Sequence, residues 1–363
     1  MDATDRLILC CAKAGLDSAG GGELEQLLSQ VPLGGIDWKR FVRDASRHGL
    51  LPLANHILKD SPEESHLPPD VKECLHGAYM QGAARTILLN HELRAVLARF
   101  SEANIQLMVL KGPYLSEKIY SQRNIRFFCD LDLLVSEKDV AEAGSLLNEL
   151  DYRFCPERAR FWWEDAYPEK VFAKTSGSLC EIHWNILDKK RFLPANIDIN
   201  NEIWENATQV QLFGLPVRQM APEHLLIYLS LHLAVIHRFG ILILYRDLAE
   251  VLNFYSNSFN WDYFVKCVAG WQVRSQVYYP LYFAAKLLDA DIPDNMLREI
   301  RPRYLTARFF ELIFRKTNFV SLPKYTPVDA LFLALRDQKA RRYKCALGLP
   351  YRVIRWHLKG NTC

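Results

Sequence analysis

Leu110-Lys-Gly-Pro-Tyr-Leu115, then Arg126, then Cys129-Asp-Leu-Asp-Leu-Leu-Val135 mark the point where the chain's helical periodicity gives way to an extended one. Phe127–Val135 is short, apolar and bounded by turn signals, which predicts a strand, as does Gln106–Leu110. Side chains alternate along a strand, so Asp130 and Asp132 are expected on one face. Two carboxylates crowded into an apolar strand repel one another and lose hydration, and a divalent cation or a basic partner is the usual compensation. Mg²⁺ suits such a pair, because it takes one or two carboxylates plus phosphate oxygens, with Mn²⁺ as the alternative ion. Neutralising Asp132 is then expected to relieve repulsion and to raise the metal-free melting temperature.

Leu179-Cys-Glu-Ile-His-Trp184 predicts a further strand, with Val171–Ala173 as its hairpin partner across Ser176-Gly177-Ser178. Glu181 lies in its middle and shares parity with His183. If this strand neighbours the Asp130/Asp132 strand, three acids meet. Lys111-Gly112 closes the first strand and opens a helix over Pro113–Tyr120, where a lysine and free backbone N–H groups suit phosphate. Lys111 serves equally well as a counter-ion to the acids, and Arg126 either holds a phosphate or braces the loop. His183 fits a hydrogen-bonded core histidine. His232 and His237, five apart on one helix, are a poor match to chelation at i, i+4, so packing or nucleotide contact is expected of them. Asp247 follows Arg246 in an apolar helix, which predicts a buried cation as its partner.

Outward from this unit the chain reads as helices. Asp5–Ala14, Glu23–Gln30 and a segment capped by Asp37 precede one long amphipathic helix over Pro69–Ala103, whose stripe includes Leu75, Tyr79, Ala83, Ile87, Asn90, Leu93, Leu97 and Phe100. After Pro222, helices are expected over 225–238, 244–255, 261–269 and 275–289. The expected fold class is α+β: a small mixed β-sheet core over 104–218, between a helical region over 1–103 and a helical region over 219–363 that ends in a basic tail.

The chain has 363 residues, 50% apolar and 24% charged, which excludes disordered, collagenous and disulfide-stapled classes. Its longest apolar runs are interrupted by His232, His237 and Arg238 and fall short of a membrane span. Acidic residues stand where a secretory signal would be basic, and the nine cysteines are scattered without zinc spacing, so a cytoplasmic location is expected. Net charge is +3, yet from Arg298 onward fifteen Lys and Arg face four Asp and Glu. A solvated basic surface explains that tail most simply; nucleic acid is the less favoured partner.

The order Leu110-Lys-Gly112, Arg126, Asp130-Leu-Asp-Leu-Leu-Val135 and Glu181-Ile-His-Trp184 resembles the uncharacterised nucleotidyltransferase branch of the polymerase-β-like superfamily. His232, His237 and Arg246-Asp247-Leu-Ala249 resemble that branch's later helical segment. The resemblance implies that Asp130, Asp132 and Glu181 hold metal and that Lys111 and Gly112, with Arg126, face the nucleotide. It implies transfer of a nucleoside monophosphate from an NTP to a hydroxyl on a small-molecule or protein acceptor, with release of pyrophosphate. Gly112-Pro113 departs from the superfamily's usual Gly-Gly or Gly-Ser, removing an N–H from the phosphate turn. A non-catalytic nucleotide- or partner-binding subunit that keeps the fold is the alternative reading.

Overall fold

A computed structural model describes residues 1–16, 35–59, 61, 64, 67–121, 125–156, 169–186, 198–302 and 320. The helix expected over 23–30 and most of the basic tail lie outside the described residues.

The expected mixed α+β architecture is present. One sheet contains β1 (Leu107–Val109), β2 (Leu131–Val135), β3 (Arg153–Phe154), β4 (Glu169–Ala173), β5 (Leu179–His183), β6 (Thr208–Leu212) and β7 (Leu215–Gln219), in the order β3-β4-β5-β2-β1-β7-β6. The β2–β5 and β1–β7 pairs are parallel and the others antiparallel. Its centre, β2, is buried at all five positions. Leu131, Leu133, Cys180, Ile182 and Phe172 share one face of β2, β5 and β4 by parity, and a Cβ on Gly144 would meet the Phe172 ring at 3.1 Å. The other face carries the acids.

The α-helices among the described residues are α1 (Ala3–Lys13), α2 (Trp38–Arg47), α3 (Leu51–Leu58), α4 (Pro69–Glu102), α5 (Lys111–Tyr114), α6 (Val140–Glu149), α7 (Ile199–Glu205), α8 (Pro222–Leu231), α9 (Leu242–Phe254), α10 (Trp261–Gly270), α11 (Arg274–Leu288) and α12 (Asp294–Ile300). Asp37 caps α2, its side chain accepting from Arg40 N at 2.9 Å, and Asn260 caps α10 in the same way through Tyr263 N at 3.0 Å. The terminal helical regions meet each other: Arg246, fully buried on α9, donates to Glu250 Oε1 at 2.8 Å and to the carbonyls of Ala12 and Ala14 at 3.0 and 2.7 Å. These bonds fasten α1 to the C-terminal helices. Among the described residues, no helix is long and apolar enough to cross a membrane.

Three local expectations are corrected. The strand expected from Phe127 begins only at Leu131, because Phe127 and Phe128 act as packing anchors before it. Phe127 lies edge-on to Tyr79, ring centroids 5.6 Å apart, over Gly82, where an added Cβ would meet its ring at 2.3 Å. On α4, Ile87 is 72% exposed, while Thr86 and Leu89 are buried. The steps Leu75, Tyr79, Ala83 and Ile87 are four residues each, so they drift about 40° per step on a helix of 3.6 residues per turn and leave the core face. Asn90, the polar member of the stripe, donates to Glu117 Oε1 at 2.8 Å. Finally, the helix expected from Pro113 starts at Lys111 and widens into a π-helical turn over Leu115–Ile119.

Candidate active site

The site forms where β2 and β5 run side by side. Their register sets Asp132 opposite Glu181 and Leu134 opposite His183, so the adjacency on which the three-acid reading depended is present. On the other side of β5, β4 sets Glu169 opposite His183. Oxygens of Asp132 and Glu181 and a ring nitrogen of His183 lie within 4.8 Å of one another. Asp130 is not of that trio; it sits half-buried just ahead of β2, in a segment held by Arg85, whose Nη2 donates to Cys129 O at 3.0 Å and Gly177 O at 2.8 Å.

One oxygen carries two cations' worth of contacts. Asp132 Oδ1 accepts from Lys111 Nζ at 2.6 Å and lies 3.0 Å from His183 Nε2, with Asp132 only 2% exposed. Burial by itself would raise the Asp132 carboxyl, but Lys111 and His183 outweigh it and hold its pKa well below the ordinary carboxylate range. Burial pulls His183 down, yet the bonds with Asp132 and Glu181 win and lift it to about 9, so this imidazole is a cation at neutral pH. Its Nδ1 lies 3.4 Å from Glu169 Oε2 and its Nε2 3.5 Å from Glu181 Oε2. Asp130 behaves oppositely: burial first, then the charges of Asp132 and Glu181, raise it to about 7.

Lys111 reaches Asp132 from a backbone with φ +48°, the left-handed region that a lysine seldom adopts. Leu110 N, just before it, donates to Asp132 O at 2.9 Å, so the turn is registered on the acid strand itself. Gly112 is required for packing: a Cβ there would lie 2.4 Å from Phe128 Cβ. Because that clash is with the root of a side chain, rotamer change cannot relieve it. Gly112→Ala should therefore cost on the order of 2–3 kcal/mol, read as a lower urea midpoint.

In space Arg126 faces α9. Its Nε and Nη2 donate to Asp247 Oδ1 and Oδ2 at 2.7 and 2.9 Å, and Nη1 donates to Phe127 O at 2.5 Å. The bracing role is thus the one its donors serve here, and Asp247 has the buried cation expected of it.

His232 and His237 are brought together after all. α8 passes into a π-helical turn over His232–Ile236, in which residues five apart share a face, and the two Nε2 atoms are 2.9 Å apart. Burial pulls both imidazoles down, His237 to about 4, with the nearby charge of Lys111 next in size. Each stays neutral in the folded chain, whereas an unfolded histidine takes up its proton near pH 6.5. Acidification from pH 7 to 5 should therefore lower stability by on the order of 2 kcal/mol per imidazole. Urea midpoints at the two pH values measure this, and His237→Asn should flatten the slope.

Parallel and antiparallel strands presenting acids beside a lysine turn, with helices closing over them, define a nucleotidyltransferase-like α+β protein. The family model described as "uncharacterised nucleotidyltransferase" matches residues 34–289, and the chain belongs to that family. No curated protein matches it in sequence. Two solved structures are similar at low identity: the antibiotic-resistance factor ANT(2'')-Ia, at 12% identity and TM-score 0.33 over 63% of this chain and 97% of that one, and an antigenic nucleotidyltransferase-like protein from Paracoccidioides brasiliensis, at 13% and 0.32 over 60% and 95%.

Proposed function

We propose that the chain is a metal-dependent nucleotidyltransferase that moves a nucleoside monophosphate from an NTP to a hydroxyl acceptor and releases pyrophosphate. The observation that carries this reading is a charge imbalance. Asp130, Asp132, Glu181 and Glu169 influence one another around β2, β4 and β5, against the two cations Lys111 and His183. One divalent ion would offset the difference, and Asp130, raised to about 7 first by burial and then by the charges of Asp132 and Glu181, is one of the acids that feel it.

The donor set fits Mg²⁺ or Mn²⁺. Asp130, Asp132 and Glu181 offer hard oxygens, while the protonated His183 donates to the carboxylates and so orients them. A bound Mg²⁺ would neutralise charge on the phosphates and acidify an acceptor hydroxyl. The chain's own residues do the rest: Lys111 and His183 hold Asp132 in place, Arg126 fixes the approach to β2, and the helices after Pro222 wall off the acceptor side. The scattered cysteines of the sequence, in no paired motif, fit a reducing cytosol as the location.

Isothermal titration of each NTP with and without Mg²⁺ tests the reading. Binding of at least one NTP that requires Mg²⁺ is expected; no binding in either condition would remove it. Lys111→Ala should weaken NTP binding at least about tenfold, with Lys111→Arg a partial rescue. Unchanged affinity with a lowered melting temperature would leave Lys111 as the counter-ion of Asp132 alone. One observation favours the alternative of a non-catalytic subunit: Gly112 is explained by its contact with Phe128 without any phosphate.

A further inference from the structure

A second group of metal-ligating side chains lies outside the carboxylate site, where α7, α8 and α10 come together. Glu202 on α7, His224 on α8 and Cys267 on α10 each present one ligand atom, all within 4.8 Å of one another. Cys267 Sγ is 3.5 Å from Glu202 Oε1 and 3.7 Å from His224 Nε2, and the last two atoms are 4.0 Å apart. The Tyr263 hydroxyl closes the figure, 3.0 Å from His224 Nε2 and 3.3 Å from Glu202 Oε1.

Four donor atoms with these separations are compatible with the corners of a tetrahedron. A regular tetrahedron with edges of about 3.5 Å has its centre about 2.1 Å from each corner, within the range of Zn–N, Zn–O and Zn–S bonds. The surroundings are those of an ordered site. His224 and Cys267 are 0% and 2% exposed, and Trp271 Nε1 donates to Glu202 Oε2 at 2.6 Å, which leaves Oε1 pointed at the other donors. An outer partner on the second carboxylate oxygen is how ligating carboxylates are oriented. The His224 ring also lies against that of Trp271, centroids 5.1 Å apart, which fixes its plane.

We propose that Glu202, His224 and Cys267 form a Zn²⁺ site, with the Tyr263 oxygen or a water at the fourth corner, that clamps the helix preceding the β6–β7 hairpin to the C-terminal helices. A thiolate, an imidazole and a carboxylate suit Zn²⁺ and exclude Mg²⁺, so this site and the carboxylate site draw on different ions. On binding, the Cys267 thiol proton leaves to solvent and the sulfur bonds to the metal; no oxidant or reductant takes part. The role is structural, because the ligands come from three separate elements and two of them, His224 and Cys267, are buried.

Co²⁺ is the probe that tells the two sites apart, since only a thiolate ligand gives the charge-transfer absorption in the near ultraviolet. Full-length chain, stripped of metal and titrated with Co²⁺, should develop that absorption at one equivalent, and Zn²⁺ should displace it and raise the melting temperature. Asp132→Asn should keep the absorption. Cys267→Ser should lose it and bind Zn²⁺ at least a hundredfold more weakly, and Glu202→Gln should weaken binding at least tenfold while keeping the thiolate signal at saturation. Absence of the absorption in the native chain would overturn the site, as would its persistence in Cys267→Ser. Both readings are of metal at sulfur, so they stand or fall independently of nucleotide transfer.

Discussion

Asp132→Asn should lose NTP-dependent pyrophosphate release by at least about 100-fold and should also destabilise the metal-free chain. Lys111 and His183 both bond the same buried oxygen of Asp132, and an amide there still accepts but no longer balances their charge. Leaving buried cations without their counter-charge costs about 3 kcal/mol. This reverses the expectation drawn from the Asp130-Leu-Asp132 pattern, which had neutralisation relieving repulsion. The relief belongs to Asp130 instead. Its folded pKa of about 7 lies above the ordinary value, so the native chain holds a proton that the unfolded chain has released. Asp130's own contribution to the stability of the metal-free chain then falls as pH rises from about 4 to about 7, by on the order of 2–4 kcal/mol, and runs against the gain from His232 and His237 between pH 5 and 7. Asp130→Asn should accordingly raise the melting temperature at pH 8 and change it little at pH 4, and Mg²⁺ should stabilise native protein more at pH 8 than at pH 5. Melting curves of the two variants and the native chain at pH 4, 5 and 8 decide the matter. An Asp132→Asn chain more stable than native without metal would show that the Lys111–Asp132–His183 cluster is not what holds this acid.

How far such a site can be read from residues alone depends on whether its geometry is local. The parity of Glu181 and His183 is a strand property, whereas Asp130 lies just ahead of β2, and the β4–β5 hairpin is signalled by Ser176-Gly177-Ser178. The pairing of Asp132 with Glu181 is not local, since β2 and β5 are joined by a long crossover; only the family resemblance suggested it. The β6–β7 hairpin is weakly marked in the sequence because Thr208-Gln-Val-Gln-Leu212 is mostly exposed and carries little apolar pattern, and its one local signal is the Phe213-Gly214 turn, both residues at positive φ. The strand's late start could not be seen either: Phe127 and Phe128 have strand propensity, and only the glycines they pack on, Gly82 and Gly112, explain why they turn away. The histidine pair carried a usable sign. A spacing of five is wrong for an α-helix and right for a π-turn, so two histidines five apart in a buried helix pose the question of which helix it is. Glu202, His224 and Cys267 were beyond reach, because their spacing matches no local motif and their meeting depends on how three helices pack.

Breaking the Arg126–Asp247 pair should unfold the chain more readily than any other single polar change at the site. Both carboxylate oxygens are engaged by the guanidinium, and Tyr120 OH donates to Oδ1 at 2.7 Å, with Asp247 1% exposed. Three segments meet on that carboxylate: the end of the π-turn after Lys111, the approach to β2, and α9. Asp247→Ala leaves a buried guanidinium without its partner and should cost about 3–5 kcal/mol. Arg126→Lys should recover little, because an ammonium cannot span both oxygens. The double variant Arg126→Met, Asp247→Leu removes both charges while keeping apolar volume, and should regain most of the stability that either single change loses. It also separates the two roles open to Arg126. A brace replaced by apolar packing should bind NTP within about threefold of native, whereas a phosphate ligand would lose at least about tenfold. Since the Nε, Nη1 and Nη2 donors already serve Asp247 and Phe127 O, the threefold outcome is expected. Urea melts of the four chains with NTP titrations of the double variant measure both, and a folded double variant that has lost its nucleotide would return Arg126 to the phosphates.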